Sequence, residues 1–259
     1  MKLSISNLAW SSEKTPLIYK LMKEFNFTGL EIAPTKIFPE NPYEKLNEAR
    51  QWKNNLDFAV SSMQSIWYGR TEKIFGSDFE RNFLIEYTKK AVIFSEIISC
   101  KNIVFGCPKN RVINKNSDIE TAVNFFRELG DYAHKHNTII AMEANPPVYN
   151  TNFLNTTSEA LNFIEKVNSK GFLLNLDTGT MIENNESIKI LLGKEHLINH
   201  VHISEPGLKK IQKRELHKNL AAMLREIKYN HFISIETGLQ DDIDEISKMM
   251  SYVASVFNQ

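Results

Sequence analysis

The strongest constraint on the fold of this chain is a regular alternation of short apolar runs with longer segments of helical periodicity. The apolar runs have the length and composition of buried strands. They lie at residues 2–7, 29–33, 58–66, 102–106, 138–144, 171–177, 200–204 and 232–237. Amphipathic helices, with apolar residues at i, i+3 and i+4, are predicted at 16–25, 82–98, 119–136, 157–168 and 213–227.

This alternation predicts a single (β/α)8 TIM barrel domain over residues 1–259, because buried strands joined by helices pair in parallel through right-handed crossovers. An open doubly wound sheet is the alternative. No G-x-G-x-x-G motif follows the first strand, which weakens a dinucleotide-binding interpretation. Long loops are predicted at 34–42, 67–78 and 107–118, each after a strand end, where barrel enzymes build their sites.

Composition argues against several classes of function. The chain has 31 basic and 31 acidic residues, so its formal net charge of zero offers no bulk attraction for nucleic acid or a membrane surface. No apolar run is long enough to span a bilayer, and "MKLSISNLAW" lacks the apolar core of a signal peptide. Cys100 and Cys107 are too few for a disulfide framework, and they predict a reducing, cytoplasmic setting.

Four residues of the types that bind metals end four successive predicted strands: Glu143, Asp177, His202 and Glu236. Taken singly, each could be a turn, surface or core residue. In a barrel, however, all four would meet at one rim, where three carboxylates would repel one another without a cation. Oxygen-rich ligation with one nitrogen predicts a divalent ion, with Mn²⁺ preferred and Mg²⁺, Co²⁺ or Zn²⁺ as alternatives.

The segments "EANPPVYNTNFLNTTSEA", "LLNLDTGTM", "HVHISEPG" and "SIET" resemble the xylose isomerase-like TIM barrel superfamily. Within it, the chain is similar to the sugar-phosphate isomerases and epimerases, including the ketose 3-epimerases, and to the related inosose dehydratases. The resemblance follows the strand order over most of the chain and is most specific from Ala141 to Thr237. It implies one catalytic metal ion held by Glu143, Asp177, His202 and Glu236. It also implies that Glu143 and Glu236 act as the acid/base pair.

The implied chemistry is removal of a proton next to a carbonyl, through an enediolate stabilised by the metal. Epimerisation, aldose–ketose isomerisation and dehydration all begin this way, and the sequence leaves the three open. The ketose 3-epimerases place a His and an Arg where this chain has Thr180 and Leu208, which argues against a free-ketose 3-epimerase. A non-catalytic sugar-binding barrel is a further alternative. An enzyme like endonuclease IV is disfavoured, since its trinuclear zinc site needs more His ligands.

The predicted partner is a small carbohydrate, without nucleic acid or membrane, and self-association is left open. Sugar contacts are predicted for Glu31, Gln64, Trp67, Lys109, Arg111, Asn145 and His217. Each has an alternative: Trp67 could anchor its loop instead of stacking on a sugar ring. Lys109 and Arg111 could bind a phosphate or lie in a solvated loop, and His217 could be structural. His200 shares a strand face with His202, and we expect it to support the site from a deeper position.

Overall fold

The computed structural model of the protein describes residues 1–115 and 118–258. Eight strands close into a barrel in chain order, and every neighbouring pair is parallel. They are β1 (Lys2–Ser6), β2 (Phe27–Ile32), β3 (Ala59–Met63), β4 (Asn102–Phe105), β5 (Ile139–Glu143), β6 (Phe172–Asp177), β7 (Ile198–Ile203) and β8 (Phe232–Ile235). The predicted barrel is confirmed, and the open sheet is wrong.

Helices lie between the strands, as the periodicity predicts. They are α1 (Thr15–Glu24), α2 (Pro34–Ile37), α3 (Leu46–Asn54), α4 (Asp78–Ile97), α5 (Asp118–Lys135), α6 (Thr157–Val167), α7 (Thr178–Glu183), α8 (Glu215–Glu226) and α9 (Ile243–Phe257). The five predicted helices correspond to α1, α4, α5, α6 and α8. No helix within the described residues has the length and hydropathy needed to cross a membrane.

The barrel interior contains polar side chains as well as apolar ones. Some of these polar side chains form hydrogen bonds between strands that are not neighbours in the barrel. Glu31 of β2 pairs with His200 of β7 across the interior, and Asn199 of β7 donates to Asn102 of β4. All four side chains are buried. Buried apolar residues of the strands and helices form one core cluster beside these polar groups.

The predicted loops follow strand ends, but two of them contain short helical turns. Residues 34–42 include α2, and residues 107–118 include a 3₁₀ turn at Pro108–Asn110. Residues 116 and 117, which belong to the predicted loop 107–118, lie outside the described residues. The loop 67–78 ends in a capping box, in which Ser77 and Glu80 satisfy each other's backbone N–H groups at the start of α4.

Candidate metal centre and active site

The barrel brings the four predicted metal ligands together at the carboxyl ends of β5 to β8. Glu143 and Asp177 are the last residues of β5 and β6, His202 lies in β7, and Glu236 directly follows β8. One oxygen or nitrogen atom from each of the four lies within 4.8 Å of the others. This is a separation that a single bound ion can bridge.

Local structure fixes the orientation of Asp177. Its side chain caps the start of α7, where Oδ2 accepts the backbone N–H of Thr180 at 2.7 Å. The hydroxyl of Ser204 donates to the other oxygen. A carboxylate that is held at a helix N-terminus in this way has a defined direction before any ligand arrives.

His202 is oriented from the opposite side of its ring. Its Nε2 lies 3.1 Å from Oε2 of Glu31, a fully buried carboxylate. Its Nδ1 faces the rim, 3.1 Å from Oε2 of Glu143 and 3.1 Å from Oε2 of Glu236. Donation from Nε2 to Glu31 leaves Nδ1 with a lone pair, which the NH₂ of Asn175 approaches at 3.2 Å and which a bound metal would take instead, as in other carboxylate–histidine–metal arrangements.

Glu31 therefore lies beneath the candidate metal position. It also accepts from Nε2 of His200 at 2.8 Å and from Nε2 of Gln64 at 2.6 Å. Glu31, His200 and His202 form a second trio with atoms within 4.8 Å of one another. We favour the rim quartet as the metal site, because the trio is fully buried and its atoms already satisfy one another. The supporting position predicted for His200 agrees with this geometry.

Without a bound cation, the three carboxylates of the quartet repel one another. Burial raises the pKa of Glu236 to about 7, and the carboxylates of Glu143 and Asp177 add to this rise against the opposing effect of His202. Burial and the Glu143 carboxylate also raise the pKa of Asp177. Burial disfavours charged His202, but Glu236 and Glu31 outweigh it, and its pKa is raised well above the usual value. A bound cation would relieve this repulsion.

A cavity of about 230 Å³ is lined by three of the four candidate ligands, Glu143, Asp177 and Glu236. Its polar wall is formed by Gln64, Glu143, Asn145, Asp177, Ser204, Glu205 and Glu236, and its apolar residues include Leu8, Val104, Pro108 and Leu208. The volume is below the roughly 300–1,000 Å³ of sites that hold drug-sized ligands. The cavity therefore suits one small molecule with both polar and apolar edges.

Two of the predicted sugar-contacting residues line this cavity, namely Gln64 and Asn145. Trp67 and Lys109 line an adjoining groove instead. The indole N–H of Trp67 donates to Thr88 Oγ1, and its ring packs edge-on against Phe105, so it anchors the loop after β3.

Arg111 and His217 occupy buried positions outside the cavity lining. Arg111 has no exposed surface, because its guanidinium turns inward against the loop after β5. His217 packs on α8 with Nδ1 3.1 Å from the hydroxyl of Tyr252, and burial lowers its pKa to about 4. Neither residue belongs to the lining of the cavity, so the sugar contacts predicted for them have no support from its geometry.

Several residues of the candidate site were not predicted from the sequence. Asn175 donates to Oε2 of Glu143 at 2.7 Å, and its position two residues before Asp177 on one strand face was a usable signal. Tyr149, Glu205 and Leu208 reach the cavity from loops, where strand periodicity carries no information. Their contribution depends on loop conformation, such as the positive φ of 53° at Leu208.

The sequence matches the xylose isomerase-like TIM barrel family over residues 19–252. The chain belongs to this family. No curated protein matches the sequence significantly. The family assignment therefore rests on the family match, and the barrel with its rim of ligand-type residues is consistent with it.

Solved structures share the fold across their whole length at low sequence identity. D-psicose 3-epimerase from Clostridium cellulolyticum H10 is 16% identical, with a TM-score of 0.80 and 99% of both chains covered. A probable 3-DHS dehydratase from Bacillus anthracis is 16% identical, with a TM-score of 0.70, covering 100% of this chain and 99% of that one. The IOLI protein with a bound zinc atom is 16% identical, with a TM-score of 0.71, covering 100% and 95%.

The donor set fits a divalent ion. Three carboxylates and one imidazole nitrogen match the preference of Mn²⁺ and related ions for oxygen with some nitrogen, and three protein charges offset the charge of the ion. Glu143 and Glu236 border the open cavity, so a ligand there would have access to the ion and to both carboxylates.

Proposed function

We propose that the protein is a divalent-metal-dependent sugar isomerase or epimerase that removes a proton next to a carbonyl. The observation that carries this proposal is the quartet of Glu143, Asp177, His202 and Glu236, whose ligand atoms lie within 4.8 Å of one another and whose three carboxylates line the cavity. Mn²⁺ is the proposed ion. When bound, it would polarise the substrate carbonyl and stabilise the charge of the enediolate.

Glu143 and Glu236 are the proposed acid and base. They project from β5 and β8, which are separated by two strands of the barrel, and both line the cavity. Carboxylates that approach a planar intermediate from two directions can remove a proton on one side and return it on the other, which gives epimerisation. If one carboxylate serves two adjacent carbons, the result is aldose–ketose isomerisation. The cytoplasmic location stays a prediction.

An uncharged monosaccharide fits the cavity better than a sugar phosphate. Of the described residues, the cavity lining includes no Lys or Arg. Cations line the next groove, outside the cavity: Arg214 pairs with Glu205, Lys210 lies 3.3 Å from Glu245, and Lys209 makes no ion pair with the described residues. Phosphate recognition usually relies on Arg or Lys donors that are free to face the ligand.

Dehydration is a second candidate, because a probable dehydratase shares the fold over the whole chain. The same proton removal followed by loss of a neighbouring hydroxyl would give it. A single experiment separates these outcomes: incubation with Mn²⁺ in heavy water, with a panel of sugars, sugar phosphates and keto-inositols. Deuterium uptake beside a carbonyl in an intact sugar supports the proposal, and loss of water supports the second candidate.

Metal analysis of the purified protein completes the test. We expect close to one divalent ion per chain and exchange that stops when a chelator removes it. Metal without exchange in any compound of the panel would favour a sugar-binding barrel without catalysis. Exchange that persists after complete removal of the metal would contradict the proposed chemistry.

A further inference from the structure

Arg111 is the largest fully buried side chain of the described residues, and it lies beside the candidate site without belonging to its lining. Its hydrogen bonds go to the backbone oxygen of Glu143 at 2.9 Å, to Oδ1 of Asn145 at 2.7 Å and to Sδ of Met142 at 3.4 Å. None of these acceptors is a carboxylate. A buried guanidinium held by neutral groups is costly, so its retention there calls for an explanation.

The contact with Asn145 sets the direction of that amide. Arginine has only donors, so the Asn145 atom that faces it must be the acceptor Oδ1. The Asn145 NH₂ group then points the other way and donates to Oε1 of Glu143 at 3.0 Å. If the amide were reversed, two donors would face each other at Arg111 and two acceptors at Glu143.

The rest of the Glu143 carboxylate is held equally closely. Asn175 donates to Oε2 at 2.7 Å, and the same oxygen lies 3.1 Å from Nδ1 of His202. Gly106 lies against Oε1, where an added Cβ would be only 3.2 Å away. The orientation that Arg111 imposes through Asn145 therefore presents Oε2 to the position that the four ligands share.

We propose that Arg111 is a positioning residue that orients Glu143 for metal binding and proton transfer through the amide of Asn145. This inference rests on the proposed function, because it assumes that Glu143 is a metal ligand. The loop itself has a separate anchor, since Thr151 Oγ1 donates to the backbone oxygen of Arg111. Substitution of the arginine side chain leaves that backbone contact in place.

The test is Mn²⁺ titration of four proteins: wild type, Arg111→Met, Asn145→Ala and the double variant. Met keeps much of the volume while removing the donors and the buried charge. We expect each single change to weaken Mn²⁺ binding by about 10- to 100-fold, the usual effect of losing a group that orients a ligand. If Arg111 acts through Asn145, the double variant should bind no more weakly than the worse single variant. Arg111→Lys should restore part of the affinity.

Arg127→Met is the matched control. Arg127 also donates to backbone oxygens, those of Val167 and Lys166, but at the end of α6. Its loss should lower the thermal unfolding temperature and leave Mn²⁺ affinity unchanged. Circular dichroism establishes folding for each variant. If Arg111→Met fails to fold, Asn145→Ala and the cycle with Arg111→Lys decide the question.

The outcomes separate the inference from the proposed function. Wild-type protein that binds no Mn²⁺ would overturn the metal centre, and with it the role of Arg111. Wild-type binding with unchanged affinity in Arg111→Met would overturn only the role of Arg111. Strictly additive losses in the double variant would also overturn it, since they would mean that the arginine acts by a route other than Asn145.

Discussion

The affinity of the wild-type protein for Mn²⁺ should rise steeply between pH 5 and pH 8. In the metal-free site, burial raises the pKa of Glu236 to about 7, with Glu143 and Asp177 adding to the rise against the opposing effect of His202. A divalent ion binds the deprotonated carboxylate, so binding must first displace this proton. Acid therefore competes directly with the metal.

The size of the effect follows from that pKa. At pH 5, two pH units below it, the proton competes by about 100-fold, while at pH 8 the competition is negligible, which corresponds to about 2.7 kcal/mol of binding free energy. His202, whose pKa is also raised, must release a proton before Nδ1 can bind a metal. Its contribution has the same sign and adds to the change.

The stability of the metal-free protein should change in the opposite direction. The carboxyl of Glu236 has a higher pKa in the folded chain than the ordinary glutamate value of 4.5, so the folded state keeps a proton that the unfolded state releases. The contribution of this group to stability therefore falls as the pH rises from about 4.5 to about 7. The raised pKa of His202 contributes stability that is present at low pH and is lost as the pH rises through its folded-state pKa.

The assay is a Mn²⁺ titration at several pH values, together with thermal unfolding with and without the ion. The rise in unfolding temperature on metal addition should be larger at pH 8 than at pH 5. Glu236→Gln removes one titrating group and should flatten the dependence. An affinity that is constant from pH 5 to pH 8 would refute the reasoning, because it would mean that no proton is displaced.

Three further predictions concern single residues of the site. Asp177→Ala should lose the metal, and it should also lose about 1 kcal/mol of stability because the backbone N–H of Thr180 loses its cap. Asp177→Asn should keep the cap and still lose the metal. Elemental analysis measures the metal, and thermal unfolding measures the stability. Glu236→Gln should lower turnover by at least about 100-fold with the fold retained, as followed by deuterium exchange and circular dichroism; near-normal turnover would contradict the acid/base assignment. Gly106→Ala should lower the rate of deuterium exchange while the unfolding temperature changes little, because the added Cβ would lie 3.2 Å from Oε1 of Glu143 and displace that carboxylate. An unchanged exchange rate would show that the carboxylate tolerates the added methyl group.

The barrel was predictable because its signal is local and repeated. Each strand is a short apolar run, and the helix after it has its own period, so an error at one element leaves the others intact. The helices α3 and α9 were not predicted, although Ile246, Met249, Met250 and Val253 of α9 form a buried face at helical spacing. The short helices α2 and α7 offer too few turns for periodicity to register.

The convergence of Glu143, Asp177, His202 and Glu236 at one rim was predictable for a related reason. A residue that ends a barrel strand has a known place on the rim, whichever way the following loop turns. Arg111 and Trp67 lie beyond the strand ends, and there the direction of a side chain depends on the loop backbone. Cys107, four residues before Arg111, has a positive φ of 44°, which no pattern in the sequence predicts. Sequence could therefore name the residue types near the site without deciding which of them face the cavity.

The two departures from the ketose 3-epimerase pattern have a common structural consequence. Thr180 turns its hydroxyl to the backbone oxygen of Ala144 at 2.8 Å and is therefore occupied within the protein. Leu208 turns toward the cavity, where it joins Leu8 and Val104. A hydroxyl placed against these side chains would leave water without gaining a partner. The proposed substrate should therefore present its polar edge to the carboxylates of the candidate metal centre and a less hydroxylated edge to Leu208.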